Sequence, residues 1–242
     1  MQQLSGLGSK PGLERIESLL QEMGNPQREL QYVHIAGTNG KGSTSLIIAD
    51  ILIKAGYRVG RFTSPHLHSY LERFTIDGVE ISAAIFKPFL DGIEKHIQVM
   101  LKRGEDHPTE FEVLTAIAFQ YFRNEGVDIA VLEVGMGGSY DSTNVITPLV
   151  GVITGVDFDH TAFLGTTLGE IAANKAGIIK PGVPVVVGMM DEEALEVIKD
   201  KAQLLGAQLY HSDEISISPL GRPGLDNQTV NIEGAGFGLT GV

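Results

Sequence analysis

Residues 37 to 44 read Gly-Thr-Asn-Gly-Lys-Gly-Ser-Thr, between the apolar run Tyr32-Val33-His34-Ile35-Ala36 and the segment Ser45-Leu46-Ile47-Ile48-Ala49-Asp50-Ile51-Leu52. A glycine-rich turn joining a buried strand to a helix is a phosphate cradle. Its glycines let backbone N–H groups converge on an anion, and the helix N-terminus adds partial positive charge. Lys41 supplies a full charge, and Ser43 or Thr44 offers a hydroxyl to a phosphate-bound Mg²⁺. Gly37, Thr38, Asn39, Gly40, Lys41, Gly42, Ser43 and Thr44 are therefore the candidate binders of a nucleoside triphosphate. The common P-loop pattern places four residues between the first glycine and the Gly-Lys pair, with Ser or Thr directly after Lys. Here only Thr38 and Asn39 intervene, and Gly42 separates Lys41 from Ser43.

Further polar residues close apolar runs. Glu133 follows Ile129-Ala130-Val131-Leu132 and precedes a second glycine-rich turn, Gly135-Met136-Gly137-Gly138. A carboxylate there is costly unless it meets a cation or hydrogen-bond donors, so it points to Mg²⁺ carried by a triphosphate, or to a bridge with a core Arg or Lys. His160, in Asp157-Phe158-Asp159-His160, reads as a metal ligand whose tautomer a neighbouring carboxylate fixes, or as an ordinary exposed loop histidine. Lys175, in Asn174-Lys175-Ala176-Gly177, reads on its own as a solvated charge.

The elements that must carry these residues alternate. Leu13, Ile16, Leu19, Leu20 and Met23 recur at helical spacing before Gly24-Asn25-Pro26. The phosphate-loop helix is apolar on nearly every face from Leu46 to Ile53, which predicts burial against a sheet, and a strand is expected over Tyr57–Phe62. Arg73–Ile81, with Asp77-Gly78 at its centre, predicts a small hairpin insertion. Helices are expected over Ala83–Lys102, Phe111–Asn124, Leu168–Ala176 and Asp191–Leu205, and strands over Ile129–Val134, Leu149–Thr154 and Val183–Val187. From Ser212 onward, Ile215, Ile217, Val230 and Ile232 among polar residues suggest a terminal β meander. The fold class is α/β, P-loop NTPase-like, with a mainly parallel doubly wound sheet whose ligands sit at the carboxyl ends of the strands.

Bulk composition narrows the function. The 242 residues are 43% hydrophobic and 20% charged, with 30 glycines, no cysteine and a net charge of −12. A balance this acidic, without a basic tract, disfavours nucleic acid and anionic membrane as partners. The lack of cysteine excludes disulfides, thiolate metal sites and a thiol nucleophile, and fits a reducing compartment. No charged-then-apolar leader and no apolar run of ~20 residues stands out, so a cytoplasmic monomer is expected.

Taken together the motifs resemble the ATPase domain of the folylpolyglutamate synthase and dihydrofolate synthase family, relatives of the Mur peptide ligases. They are GTNGKGS at Gly37 to Ser43, SPHL at Ser64 to Leu67, ERFTIDG at Glu72 to Gly78, PTEFEVLTAIAF at Pro108 to Phe119, LEVGMGG at Leu132 to Gly138, DSTNV at Asp141 to Val145, DFDH at Asp157 to His160, LGTTLGEIA at Leu164 to Ala172 and KAGIIK at Lys175 to Lys180. The resemblance implies ATP and Mg²⁺ as cofactors, and a ligase that phosphorylates a folate or dihydropteroate carboxylate before the amine of L-glutamate attacks it. It implies Lys41, Glu133, His160 and Lys175 as catalytic residues, with Ser64, Glu133 and His160 as metal ligands and Lys175 as a lysine open to carbamylation. Ser64, Pro65, His66, Thr109, Phe111 and Asp141 match the folate-binding segments, where an aromatic face stacks on the pterin and a carboxylate accepts from it.

Two positions depart from the family pattern: Ser139 stands where Arg is usual, and Asn174 where Glu is usual. The resemblance also implies that residues 1–242 are one ATP-binding domain, with the family's second, Rossmann-like domain absent. Such a chain alone is expected to bind ATP·Mg weakly and to ligate poorly. A Mur-type ligase with another substrate and a non-catalytic ATP-binding module are the alternatives.

Overall fold

A computed structural model of the protein describes residues 12–221, 228–234 and 237–240. An eight-stranded sheet runs in the order β4-β3-β2-β5-β1-β6-β7-β8. Its members are β1 (Gln31–Ala36), β2 (Val59–Phe62), β3 (Phe74–Ile76), β4 (Val79–Glu80), β5 (Ile129–Glu133), β6 (Val150–Ile153), β7 (Val185–Val187) and β8 (Leu209–His211). The six strands from β2 to β8 in that order pair in parallel, whereas β3 and β4 add an antiparallel hairpin at one edge. The hairpin turns where expected, because Asp77 and Gly78 both adopt positive φ (50° and 77°), as a primed two-residue turn requires. Asp77 also accepts the Val59 N–H at 2.8 Å, which fastens the turn to β2.

The helices are α1 (Glu14–Glu22), α2 (Lys41–Lys54), α3 (Ala83–Lys102), α4 (Glu110–Asn124), α5 (Thr161–Leu164), α6 (Leu168–Lys175) and α7 (Glu192–Leu204). None among the described residues is long and apolar enough to cross a membrane. On one face of the sheet α1, α3 and α4 enclose a large core in which Ile16, Leu19, Leu20, Phe62, Phe74, Phe119 and Phe122 are fully buried. Further along that face α6 and α7 close a second cluster around Ile153, Ile171, Val185 and Ile198. The other face carries α2, packed through Ala49, Ile48 and Leu52 onto Val33, Ile35, Val59 and Val131.

The expected packing of α2 against the sheet is met on its inner side. The outer side of α2 is open to solvent, with Leu46 at 46%, Ile47 at 59% and Ile51 at 60% exposure, so its all-round apolarity does not reflect all-round burial. The short α5 and the edge strand β8 went unforeseen, being only four and three residues long. The terminal meander is a separate three-stranded antiparallel sheet of β9 (Ile215–Leu220), β10 (Thr229–Gly234) and β11 (Phe237–Leu239).

Candidate active site

The sheet order reverses beside β1: the chain leaves β1 for β2 on one side, and later enters β6 on the other. Loops diverge at such a switch point and leave a crevice at the carboxyl ends of the strands. The phosphate loop occupies it. Gly40 is the left-handed N-cap of α2 (φ 82°), and Gly37 has φ 148°, with a hypothetical Cβ only 1.9 Å from Thr154 Oγ1. The loop is therefore pressed onto the end of β6. Thr38 N–H donates to the Gly155 carbonyl (2.9 Å), and Thr38 Oγ1 bonds Asp157 both through its carbonyl and through its N–H, each at 3.0 Å. Thr154 Oγ1 donates to the Asn39 carbonyl at 2.6 Å. Lys41 folds back, its Nζ donating to the Gly37 (2.9 Å) and Thr38 (3.3 Å) carbonyls. In contrast, the N–H groups of Asn39, Gly40, Lys41, Gly42 and Ser43 have no acceptor among the described residues. Thr44 N–H is already bonded to the Gly40 carbonyl, so Thr44 has only its hydroxyl to offer.

Glu133 ends β5 on the same face as the loop, and its carboxylate oxygens lie 3.8 and 4.0 Å from where a Gly42 Cβ would be. It is 5% exposed and accepts one hydrogen bond, from the Ser64 N–H at 3.2 Å. Burial pushes its pKa up; the Ser64 N–H and the charges of Lys41 and Arg61 pull the other way. Arg61 is the residue that sequence reasoning missed: half-buried on β2, it feels Glu133 and Asp50 yet makes no ion pair among the described residues. The alternation Val59-Gly60-Arg61-Phe62 next to β5 was the available signal, since the period of two puts Arg61 and Glu133 on one face.

Lys175, at the end of α6, is 1% exposed and has no ion pair among the described residues. Burial, then the Lys41 charge, lowers its pKa to about 8, with Asp159 opposing. The solvated-charge reading of this lysine is thereby corrected. His160 heads α5 in the left-handed conformation (φ 46°), more than half exposed, its Nε2 3.6 Å from Asp159. Among the described residues no three His, Asp or Glu side chains converge as a metal cluster. The residue suited to hold a divalent ion is instead Glu133, whose buried carboxylate makes no ion pair among the described residues and is bonded by the Ser64 N–H.

The Ser64–Pro65 peptide is cis, and Pro65 lies exposed in a loop whose N–H groups at Leu67, His68 and Ser69 all donate to Glu72. His66 accepts from Arg73 Nε at 3.0 Å and packs on Tyr70 with centroids 4.4 Å apart. Thr109 is the N-cap of α4 in a capping box with Glu112, which Arg15 of α1 also clamps at 3.0 Å. That box aims Phe111, which stacks on Phe62 (5.8 Å, 23°) while Gly135 passes so close that a Cβ there would lie 2.7 Å from the ring. Asp141 is 6% exposed; Oδ2 accepts from Met136 N–H (2.9 Å) and Oδ1 from Thr143 N–H (3.0 Å) and Thr143 Oγ1 (2.5 Å), with Gly135 N–H adding a further bond. Its carboxylate is thus engaged by its own loop instead of standing free as an acceptor for a ring. The two departures touch: Ser139 donates through N–H and Oγ to the Asn174 carbonyl at 2.9 and 3.0 Å.

Strand order, switch-point loop and buried acid together define a P-loop-like α/β domain. Residues 35–214 match the Mur ligase middle domain. A dihydrofolate synthase/folylpolyglutamate synthase of Bacillus subtilis is 44% identical over 197 residues, covering 81% of this chain and 46% of that protein. A folylpolyglutamate synthase of Lacticaseibacillus casei is 44% identical over 200 residues, covering 82% and 47%. A solved complex of FPGS with AMPPCP and folate superposes with a TM-score of 0.90 at 38% identity, covering 98% of this chain and 58% of that one. The chain belongs to the Mur ligase middle-domain family, is similar to folylpolyglutamate and dihydrofolate synthases, and spans about half the length of the curated relatives it matches.

Proposed function

We propose that this chain supplies the ATP-binding part of a ligase that joins L-glutamate to the carboxylate of a folate or dihydropteroate through an acyl phosphate. The observation that carries the reading is the row of five unspent N–H groups, Asn39 to Ser43, beside Lys41 and the buried Glu133. In this reading the loop amides and Lys41 hold the β and γ phosphates, and Lys41 exchanges its two carbonyl contacts for phosphate oxygens. Mg²⁺, when bound through Glu133 and Ser64, neutralises phosphate charge and polarises the transferred group. In-line phosphoryl transfer depends on positioning and charge neutralisation, and a carboxylate must be activated before an amine displaces its oxygen. His160 and the buried Lys175 flank the transferred group, where Lys175, its pKa lowered to about 8, yields a neutral amine more readily than an ordinary lysine and is open to carbamylation. The partly exposed ring of Phe111, with Thr109, Pro65 and His66 around it, offers the stacking face for the pterin, and Asp141 shapes the wall behind it.

Calorimetry with ATP·Mg²⁺, followed by ADP release measured with dihydropteroate or tetrahydrofolate and with or without L-glutamate, tests the reading. Glutamate-dependent release supports a complete ligase. Binding without such release supports a nucleotide-binding module that needs further chain for ligation, and no binding overturns the reading.

A further inference from the structure

A buried polar chain behind the site connects β1 to the Gly135–Asp141 loop, and the proposed chemistry leaves it unused. His34 is fully buried on β1, three residues before Gly37, and its Nε2 lies 2.8 Å from Thr143 Oγ1. Thr143, also fully buried, is 2.5 Å from Asp141 Oδ1 through the same hydroxyl. A hydroxyl has one proton. The carboxylate takes it, so Thr143 Oγ1 accepts from His34, which fixes the imidazole as the Nε2–H tautomer. Burial, with the Lys180 charge nearby, holds that ring neutral, and its Nδ1 has no hydrogen-bond partner among the described residues. The next residue, Asn144, continues the clamp by donating through Nδ2 to the Ser139 and Gly177 carbonyls, both at 3.1 Å.

The loop so held begins two residues after Glu133 and lies directly on Lys175. A Cβ on Gly138 would stand 2.8 Å from both the Asn174 and Lys175 carbonyl oxygens, and one on Gly177 would stand 2.5 Å from Ser139 Cα. Backbone rests on backbone here, so a displacement of the loop displaces Lys175 and the end of β5 together. Resting on the ATP-binding reading above, we propose that His34 and Thr143 are positioning residues. Through Asp141 they fix the Gly135–Asp141 loop, and through that loop they set Glu133 and Lys175 against the phosphate loop.

The test compares the 242-residue protein with Thr143→Val, which keeps the shape of the side chain and removes the hydroxyl, and Thr143→Ser, which restores it. Amide exchange at Met136 and Ser139 is expected to quicken at least tenfold in Thr143→Val, with the Ala130 and Val131 amides in the middle of β5 unchanged. The ATP·Mg²⁺ dissociation constant should rise at least fivefold, and Thr143→Ser should return both to wild type. His34→Phe leaves the Thr143–Asp141 bond without its orienting donor, so intermediate changes are expected; this variant also replaces Thr143→Val if that protein does not fold. Unchanged exchange in the loop overturns the proposal, as does faster exchange with unaltered ATP affinity. Wild-type protein that binds no ATP·Mg²⁺ defeats the functional reading instead, and the exchange data still decide whether this chain of bonds holds the loop.

Discussion

Two glycine-rich loops leave neighbouring strands at the same crevice and use their polar groups in opposite ways. The loop after β1 leaves the N–H groups of Asn39 to Ser43 without acceptors, and its Lys41 rests on the loop's own carbonyls. The loop after β5 has four of its N–H groups bonded, Gly135 and Met136 to Asp141, Asp141 to the Gly138 carbonyl and Ser139 to Asn174, while those of Gly137, Gly138 and Tyr140 have no acceptor among the described residues. Donors left open at a helix N-terminus, in a loop fixed by its other contacts, suit an anion, whereas donors already bonded serve as scaffolding. Glycine serves different ends in the two. In the first it gives positive φ at Gly37 and Gly40; in the second, at Gly138, it allows backbone to touch backbone.

The contrast is broken most severely at Gly37. Gly37→Ala puts a Cβ 1.9 Å from Thr154 Oγ1 at φ 148°, so the loop must leave β6. We expect ATP·Mg²⁺ affinity to fall by ~100-fold or more and stability to drop by ~2–3 kcal/mol, measured by calorimetry and denaturant unfolding. A variant that still binds like wild type would show that the loop's contact with β6 is not what shapes the cradle.

Lys175, buried beneath the second loop, gives the next largest effect, and its sign is definite. Its folded pKa of about 8 lies below the ordinary 10.5, so between those values the unfolded chain holds more protons. Stability therefore rises with pH across that window and is flat above it. Lys175→Met removes the buried amine at similar volume. It should be more stable than wild type at pH 7, by up to ~3 kcal/mol, and the advantage should vanish by about pH 10.5. Unfolding curves at pH 7, 9 and 10.5 check this; a constant difference would mean that lost packing, and not a buried charge, separates the two proteins.

Much of the fold was legible because its signals are local and repeated. Helix α3 spans the expected Ala83–Lys102, and the Asp77-Gly78 hairpin is where its turn residues placed it. The phosphate loop was readable for the same reason, since glycines and a lysine between a strand and a helix carry their chemistry in the order of the chain. The second loop was not. Burial of Lys175 beneath Gly138 is a contact between residues far apart in sequence that no local pattern encodes, and the alternation that puts Arg61 and Glu133 on one face does not say which strands are neighbours. His34 sat in plain view in an apolar strand, but its bond to Thr143 spans more than 100 positions.

The two sides of α2 lead to the mildest prediction. Leu46, Ile47 and Ile51 satisfied a pattern of burial, yet the sheet accepts only the side bearing Ser45, Ile48, Ala49 and Leu52. An exposed apolar side chain adds little to stability, because folding removes little of its surface from water. Ile47→Gln and Ile51→Gln, which keep good helix formers on the outer side, should each change stability by less than ~0.5 kcal/mol and leave ATP·Mg²⁺ affinity unaltered. Ala49→Gln, on the inner side of the same helix, should cost several times more, since Ala49 is 4% exposed against Val33, Val59 and Val131. The pair of measurements separates the two sides of one helix. A large loss at Ile47 or Ile51 would show that their surface is covered in solution by something other than water, and would move α2 from the open region of the molecule to the closed one.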